Sequence, residues 1–376
     1  MGNGWWRAIG LGWTVAFFAA CGSGSSGGGN GGGPTPTVYK YFAYVLNASD
    51  SQIAVFAINE STGALTAVGS PLSTGSAPVS LKIAPGGRSV YVANRGANTI
   101  SIYSIHATTG GLTEIAGSPV AAGTWPTSLS IDPTGKYLYV ANQVSHDVSA
   151  YSINASTGRP TEISGSPFVP VAGEECNDVA VDPAGHFLAY VAHYKRISAL
   201  AVDSGTGEMN PIAGSPYDTG DGCAALAIEP GGKFLYAANY YSNNVTAYAM
   251  NGLTGALTAI SGSPFPAGTG PCSLAVDPAG KFVYVANCDS DSVSAYAVSA
   301  TTGGLEQAAG SPFAAGTRPL HVSADPSGKF VYATNYYSHD ISAYAINAAT
   351  GALTEIAGSP FVQHGAFCIA TVKIAQ

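Results

Sequence analysis

Five residues of this chain have side chains suited to acid–base or electrostatic work and depart from the pattern around them: Glu175, Asp178, His193, Arg318 and His321. A carboxylate or a neutral imidazole can take a proton from water, and a guanidinium can stabilise the negative charge that then grows on a carbonyl oxygen. Hydrolysis of a carboxylic ester needs that combination: Glu175 or Asp178, with His193 or His321, supplies the base, and Arg318 the cation. The other reading, and the one taken first, is a solvated loop rim whose charges keep a sparsely charged protein soluble. A second set could stack on sugar rings or anchor a protein partner: Trp125, Tyr194, Tyr240, Tyr241, Tyr336 and Tyr337. Asp289-Ser290-Asp291 and His339-Asp340 lack the neighbours that would complete a calcium or zinc ligand set. No phosphate-cradling loop occurs either, so no metal and no cofactor is expected.

What must position these residues is a repeat. The tetrad Tyr284-Val285-Ala286-Asn287 has counterparts beginning at Tyr44, Tyr91, Tyr139, Tyr190, Tyr236 and Tyr332, giving seven copies with a period of about 48 residues. A period of this size signals a repeat architecture. Within the copy running from Pro271 to Pro312, four short apolar runs alternate with turn chemistry. Ser273–Val276 leads into the turn Asp277-Pro278-Ala279-Gly280, and Phe282–Ala286 is followed by a polar loop. Val293–Val298 ends at Thr302-Gly303, and Leu305–Ala309 at Gly310-Ser311-Pro312. Pro presets φ and Gly accepts positive φ in such turns, so each copy reads as a four-stranded antiparallel sheet. The runs are apolar on both faces, which suits a sheet packed between two neighbours.

Seven such sheets are accommodated as blades around an axis, which predicts an all-β, seven-bladed β-propeller over residues 38–376. The first copy starts at its second strand, Val38–Asn47, while Phe367–Ile374 is a strand with no hairpin after it. If this C-terminal strand becomes the innermost strand of the first sheet, the ring closes and no sheet edge stays exposed. The loop leading into each innermost strand and the loop after each second strand then share one face, around the channel mouth. The rule-breaking residues fall there: Glu175 and Asp178 before the fourth innermost strand, Arg318 and His321 at the seventh, and His193 in place of a tetrad Asn. The repeated Asp132, Asp182, Asp277 and Asp325 precede Pro in tight turns, where a carboxylate satisfies turn amides, and so read as structural.

With its Tyr-Val-Ala-Asn tetrads, Asp-Pro-x-Gly-Lys turns and period, the chain resembles the YVTN-repeat and lactonase-type seven-bladed propellers. That superfamily includes 6-phosphogluconolactonase-like and muconate-lactonising propellers alongside non-enzymatic surface proteins. The resemblance spans about Val38 to Ile374. It implies the propeller fold and allows lactonase chemistry. The family's Pro-Arg-His at an innermost strand has a partial counterpart in Pro319-Leu320-His321, with Arg318 displaced to the front. No tetrad Asn is followed by the family's Glu.

Residues 1–21 are outside the repeat. Arg7 precedes the mostly apolar run Ala8–Ala20, and Phe18-Ala19-Ala20-Cys21 resembles a lipobox. A secretory signal with lipidation of Cys21 is the expectation. The Gly/Ser-rich stretch 22–37 reads as a flexible tether holding the propeller off a membrane. Charged residues are only 10 % of the chain and the formal net charge is −8, with no basic run, so no nucleic-acid partner is expected. Export permits disulfides. Cys272 and Cys288 lie symmetrically about the turn at Gly280 and form one candidate pair; Cys176 and Cys223, at matching positions of adjacent blades, form another. The sequence thus points to an exported, membrane-anchored, monomeric lipoprotein of the periplasm or cell surface. Its leading function is binding a ligand or envelope protein at the mouth face, a glycan among them. Hydrolysis of a small-molecule lactone stands second.

Overall fold

A computed structural model describes residues 38–376; the signal-like segment, Cys21 and the tether lie outside the described residues. These residues form seven antiparallel sheets. In the sixth blade the strands Pro271–Val276, Phe282–Asn287, Ser292–Val298 and Leu305–Gln307 run in order from the axis outward, and Phe313–Ala314 pairs back onto the third. Such a two-residue strand recurs in every blade but the third, where a single bridge between Val148 and Phe168 replaces it. The innermost strands of the second to seventh blades are Pro78–Ile83, Pro126–Ile131, Asp178–Val181, Cys223–Ile228, Pro271–Val276 and Pro319–Ala324. That of the first blade comes from the other end of the chain: Ala366–Ala375 pairs with Tyr39–Asn47, Tyr44 facing Ala370. The seven-bladed propeller and its closure by the C-terminal strand are as the repeat predicted.

Apolar side chains on both faces of each sheet fill seven clusters, one between each pair of adjacent blades. Phe282, Tyr284 and Ala286 meet Val322, Val331 and Ala333 between the sixth and seventh, while Val283 and Val285 of the same strand face Tyr236 and Ala238 of the fifth. The last cluster joins Tyr332 and Ile341 of the seventh blade to Tyr41, Val45 and Ile369 of the first. Each tetrad Tyr is buried, and its hydroxyl donates to the carbonyl of a Thr-Gly turn glycine in the next blade: Tyr284 to Gly351 at 3.2 Å, and across the closure Tyr332 to Gly63 at 2.8 Å. The turn needs glycine twice over. Gly351 has φ +73°, and a Cβ there would sit 2.3 Å from the Phe282 ring. The repeat turns are held by their carboxylates: Asp277 accepts the N–H groups of Lys281 and Phe282 at 2.6 and 2.7 Å, and Asp325 those of Lys329 and Phe330 at 2.9 and 2.8 Å.

Cys272 and Cys288 form a disulfide with Cα atoms 6.2 Å apart, clamping the mouth end of the sixth blade. The second candidate pair is corrected. Cys176 and Cys223 are free and buried, Cys176 in the layer between the third and fourth blades and Cys223 in that between the fourth and fifth. Equivalent positions in successive blades point the same way round the ring, so a whole sheet lies between the two thiols.

Candidate functional site in the channel and at its mouth

The two loop families meet as expected. In every blade but the fourth, the residue after the second strand donates its N–H to the residue preceding the innermost strand, Gln143 to Trp125 at 2.9 Å, Tyr240 to Gly222 at 2.9 Å and Tyr336 to Arg318 at 3.0 Å; in the fourth the His193 N–H donates instead to the Arg196 carbonyl at 2.8 Å. Behind this mouth the channel holds two adjoining cavities of about 260 and 340 Å³, the smaller at the mouth end. Both are lined by Lys82, Asp178 and His321 together with Leu81, Leu226 and Leu274. Successive innermost strands offer equivalent side chains to this lining, and most are small: Ser80, Ser128, Ala225, Ser273 and Cys368 in one tier, Ser130, Ala180, Ala227, Ala275 and Ser323 in the next. Asp178 and His321 replace small residues in the first tier, and Lys82 does so in the second.

Asp178 is held by three donors. The Ser128 hydroxyl of the third blade and its own Val179 N–H (2.8 Å) reach Oδ1, and the Leu226 N–H of the fifth blade reaches Oδ2 at 2.6 Å. In other blades a serine hydroxyl accepts the same inter-blade bond, Ser80 from the Leu129 N–H and Ser273 from the Val322 N–H, both at 3.3 Å. Burial pushes the Asp178 carboxyl above the usual carboxylate range, opposed by those hydrogen bonds and by the charge of Lys82. His321 is pushed down to about 3, by burial first and by Lys82 second, so its imidazole is neutral at working pH. Its Nδ1 is enclosed and without a hydrogen-bond partner. An unpaired buried N–H is harder to accommodate than an unpaired lone pair, which favours the tautomer carrying its proton on Nε2. Lys82 extends into the channel and, among the described residues, makes no ion pair. The arrangement sets a proton acceptor, a neutral donor and a cation around the same channel space.

Of the five sequence candidates the structure brings together only Asp178 and His321. Glu175 is exposed at the rim, where the Gln143 side chain donates to it at 3.2 Å. Arg318 lies across the Tyr337 ring, 5.2 Å from its centroid, and is not part of the channel lining. Its φ is +59°, a conformation that Gly222, Gly270 and Gly365 adopt at the matching positions. His193 is corrected from base to structural clamp. It is wholly buried; Nδ1–H donates to the Glu175 carbonyl at 2.9 Å and Nε2 accepts from the Ser198 hydroxyl at 2.8 Å. Burial also lowers its pKa, leaving it neutral. The tetrad Asn holds the matching serines elsewhere, the Asn287 amide donating to Ser292 and Ser294 at 3.1 and 2.9 Å. His193→Asn should therefore keep the melting temperature within a few degrees. His193→Ala, which strips the Glu175 carbonyl and Ser198 of their partner, should cost about 1–3 kcal/mol in thermal unfolding.

Lys82 is the functional candidate that sequence reasoning missed. A signal existed: it stands where equivalent strands carry Ser130, Ala180, Ala227, Ala275 and Ser323. That break falls inside a strand, not in the mouth loops.

The aromatic candidates do gather at the mouth. Tyr194, Tyr241 and Tyr240 form one group, with ring centroids 5.9 and 5.0 Å apart. Tyr336 and Tyr337 form another at 5.4 Å, Tyr336 also meeting Phe367 of the channel lining at 5.9 Å. Trp125 lies under Arg95. Trp125, Tyr241 and Tyr337 are 47, 65 and 57 % exposed, whereas Tyr240 is half-buried, its hydroxyl donating to Asp289 at 2.6 Å.

Comparison with known proteins agrees with this architecture. A search among curated proteins gives no match in sequence. Among solved structures, a Bacteroides uniformis protein provisionally assigned as a 6-phosphogluconolactonase superposes with a TM-score of 0.78 at 20% identity, covering 89% of this chain and 99% of that one. The periplasmic gluconolactonase PpgL of Pseudomonas aeruginosa gives 0.76 at 19%, with 89% and 99% covered. At these identities the likeness is one of fold. The family model described as lactonase, 7-bladed beta-propeller, matches residues 31–173, 195–315 and 265–371, most of the chain. By that match, and by the seven closed blades it describes, this chain belongs to the lactonase family of seven-bladed β-propellers.

Proposed function

We propose that the propeller takes up a small cyclic ester at the mouth and opens it in the channel, as a lactone hydrolase. The observation that carries this reading is the convergence of Lys82, Asp178 and His321 on one cavity. The Asp178 carboxylate takes a proton from water as its oxygen attacks the lactone carbonyl. Lys82 and the Nε2–H of His321 stabilise the oxyanion. When the ring C–O bond breaks, protonated Asp178 returns the proton to the leaving oxygen. One water is consumed and one hydroxy acid formed. The mouth aromatics suit the apolar face of a sugar ring, which favours sugar lactones. A gluconolactonase in the periplasm is the role named for the Pseudomonas aeruginosa neighbour, and an exported protein would meet unphosphorylated sugar lactones. We further infer that Cys21 carries the lipid anchor, on the strength of the small residues before it. The intact mass of the membrane-extracted protein tests that anchor.

The test of the activity is acid release from a panel of sugar and aliphatic lactones. Asp178→Asn keeps an acceptor for the Leu226 N–H but cannot take the proton, and should remove turnover without unfolding the ring. Because the carboxyl is raised, the acidic limb of kcat/KM should lie above the usual carboxylate range and rise as Asp178 deprotonates. Turnover by Asp178→Asn equal to that of the parent would sink the mechanism, and rates at the buffer level throughout would sink the enzyme reading. In the second case the exposed Trp125, Tyr241 and Tyr337 favour a binding module for a glycan or an envelope protein.

A further inference from the structure

The repeat distributes charge unevenly between the two ends of the propeller. Every turn that joins a first to a second strand lies at the end away from the mouth. After the turn glycine five of these turns carry an exposed cation: Arg88, Lys136, Lys233, Lys281 and Lys329. Lys40, Arg159 and Lys373 add to the same end, Lys40 donating to the Thr108 carbonyl of the neighbouring blade's turn at 2.9 Å. Exposed acidic side chains in the turns of this end are only Glu60, Asp203 and Glu208, while Glu114, Glu162, Glu306 and Glu355 lie on the outermost strands at its flank. The turn carboxylates, such as Asp277 and Asp325, are buried beneath the surface and bonded to backbone amides. The mouth is the reverse: Glu175, Asp218, Asp221, Asp289 and Asp291 outnumber Arg95, Lys195, Arg196 and Arg318. The chain carries −8 overall, yet presents cations outward at one end. That end also bears Leu253, 96 % exposed at the tip of a turn, with Tyr39 and Phe187 exposed at 43 and 42 %. Val38, where the chain enters the propeller, lies there too, its carbonyl accepting the Gln376 N–H at 2.8 Å.

We propose that this turn face lies against an anionic phospholipid surface, so that the channel mouth points away from the membrane. Outward lysines come within a Debye length of phosphate headgroups, while the buried carboxylates stay further off behind their amide donors. Leu253 is placed to enter the headgroup layer, as apolar side chains of peripheral proteins do. The proposal stands independently of the lactone reading, since it uses no channel residue.

Residues 38–376 hold every strand of the closed ring, so this propeller, free of any lipid, serves for the test. It is pelleted with large vesicles of phosphatidylglycerol and phosphatidylcholine in equal parts, or of phosphatidylcholine alone, at low salt. Binding to the anionic vesicles should be at least about tenfold stronger. The triple variant Lys233→Glu/Lys281→Glu/Lys329→Glu should lose it, and Leu253→Asp should weaken it severalfold. Lys195→Glu, the same charge change at the mouth, should leave it intact. Should the triple variant not fold, each single reversal gives a graded loss. Equal pelleting with both vesicle types would overturn the proposal, as would undiminished binding by the reversed variants or an equal loss in Lys195→Glu. Retention on a soluble anionic polysaccharide without vesicle binding would assign the face to a different partner and overturn it as well.

Discussion

Replacing Lys82 with methionine is expected to lower kcat/KM for lactone opening about 100- to 1,000-fold, with most of the loss in kcat. Methionine keeps an unbranched chain of similar length and removes the charge. Negative charge on the carbonyl oxygen exists only as water attacks, so a cation aimed at it stabilises the transition state far more than the bound lactone. Lys82 suits that task because, among the described residues, no carboxylate within 4 Å already neutralises it. Arg318→Ala is the matched control. Its guanidinium is stacked on Tyr337 outside the channel lining, and its loss should change kcat/KM less than about threefold. Steady-state kinetics of both variants separate the possibilities. A higher KM with kcat intact would make Lys82 a ground-state anchor for an anionic group on the substrate. Unchanged kinetics in Lys82→Met would move the reaction out of the channel.

The largest expected effect on stability is at the closure. Ile369 is 1 % exposed on the C-terminal strand, facing Val45 in the register and packed in the layer joining the seventh blade to the first. Ile369→Asp puts a carboxylate into that layer with no partner and removes the side chain that fills it, a loss of about 4 kcal/mol or more. The consequence reaches beyond one blade. Releasing Ala366–Ala375 leaves Tyr39–Asn47 as an unpaired edge and uncovers both adjacent layers, so the variant should melt at least about 10 °C lower or aggregate. Lys373→Ala, an exposed site on the same strand, should stay within about 0.5 kcal/mol. Thermal unfolding and size-exclusion chromatography read both. Cooperative melting of Ile369→Asp at the parent temperature would mean that the ring does not depend on this strand.

Sequence alone determined the elements whose causes are local or repeated. The Tyr-Val-Ala-Asn tetrad, the Asp-Pro turns and the missing first strand at one end of the chain were enough for blade number, strand order and closure. The Cys272–Cys288 bridge was legible for the same reason, because two residues symmetrical about one hairpin turn must come together. The site was legible only in part. Asp178 and His321 announced themselves by breaking the repeat, but so did His193 and Arg318, and only tertiary structure told them apart. The break itself is a one-dimensional signal. Whether it faces water, a neighbouring sheet or the axis depends on how seven twisted sheets close around a channel. That closure buried His193 between two satisfied partners, tipped Arg318 onto Tyr337, and set Cys176 and Cys223 in separate layers. It also brought Lys82, which lies mid-strand and about 100 residues before Asp178 in the chain, to the same cavity wall. Local sequence encodes where a strand turns, whereas the meeting of side chains from the second, fourth and seventh blades follows from the radius and twist of the closed ring.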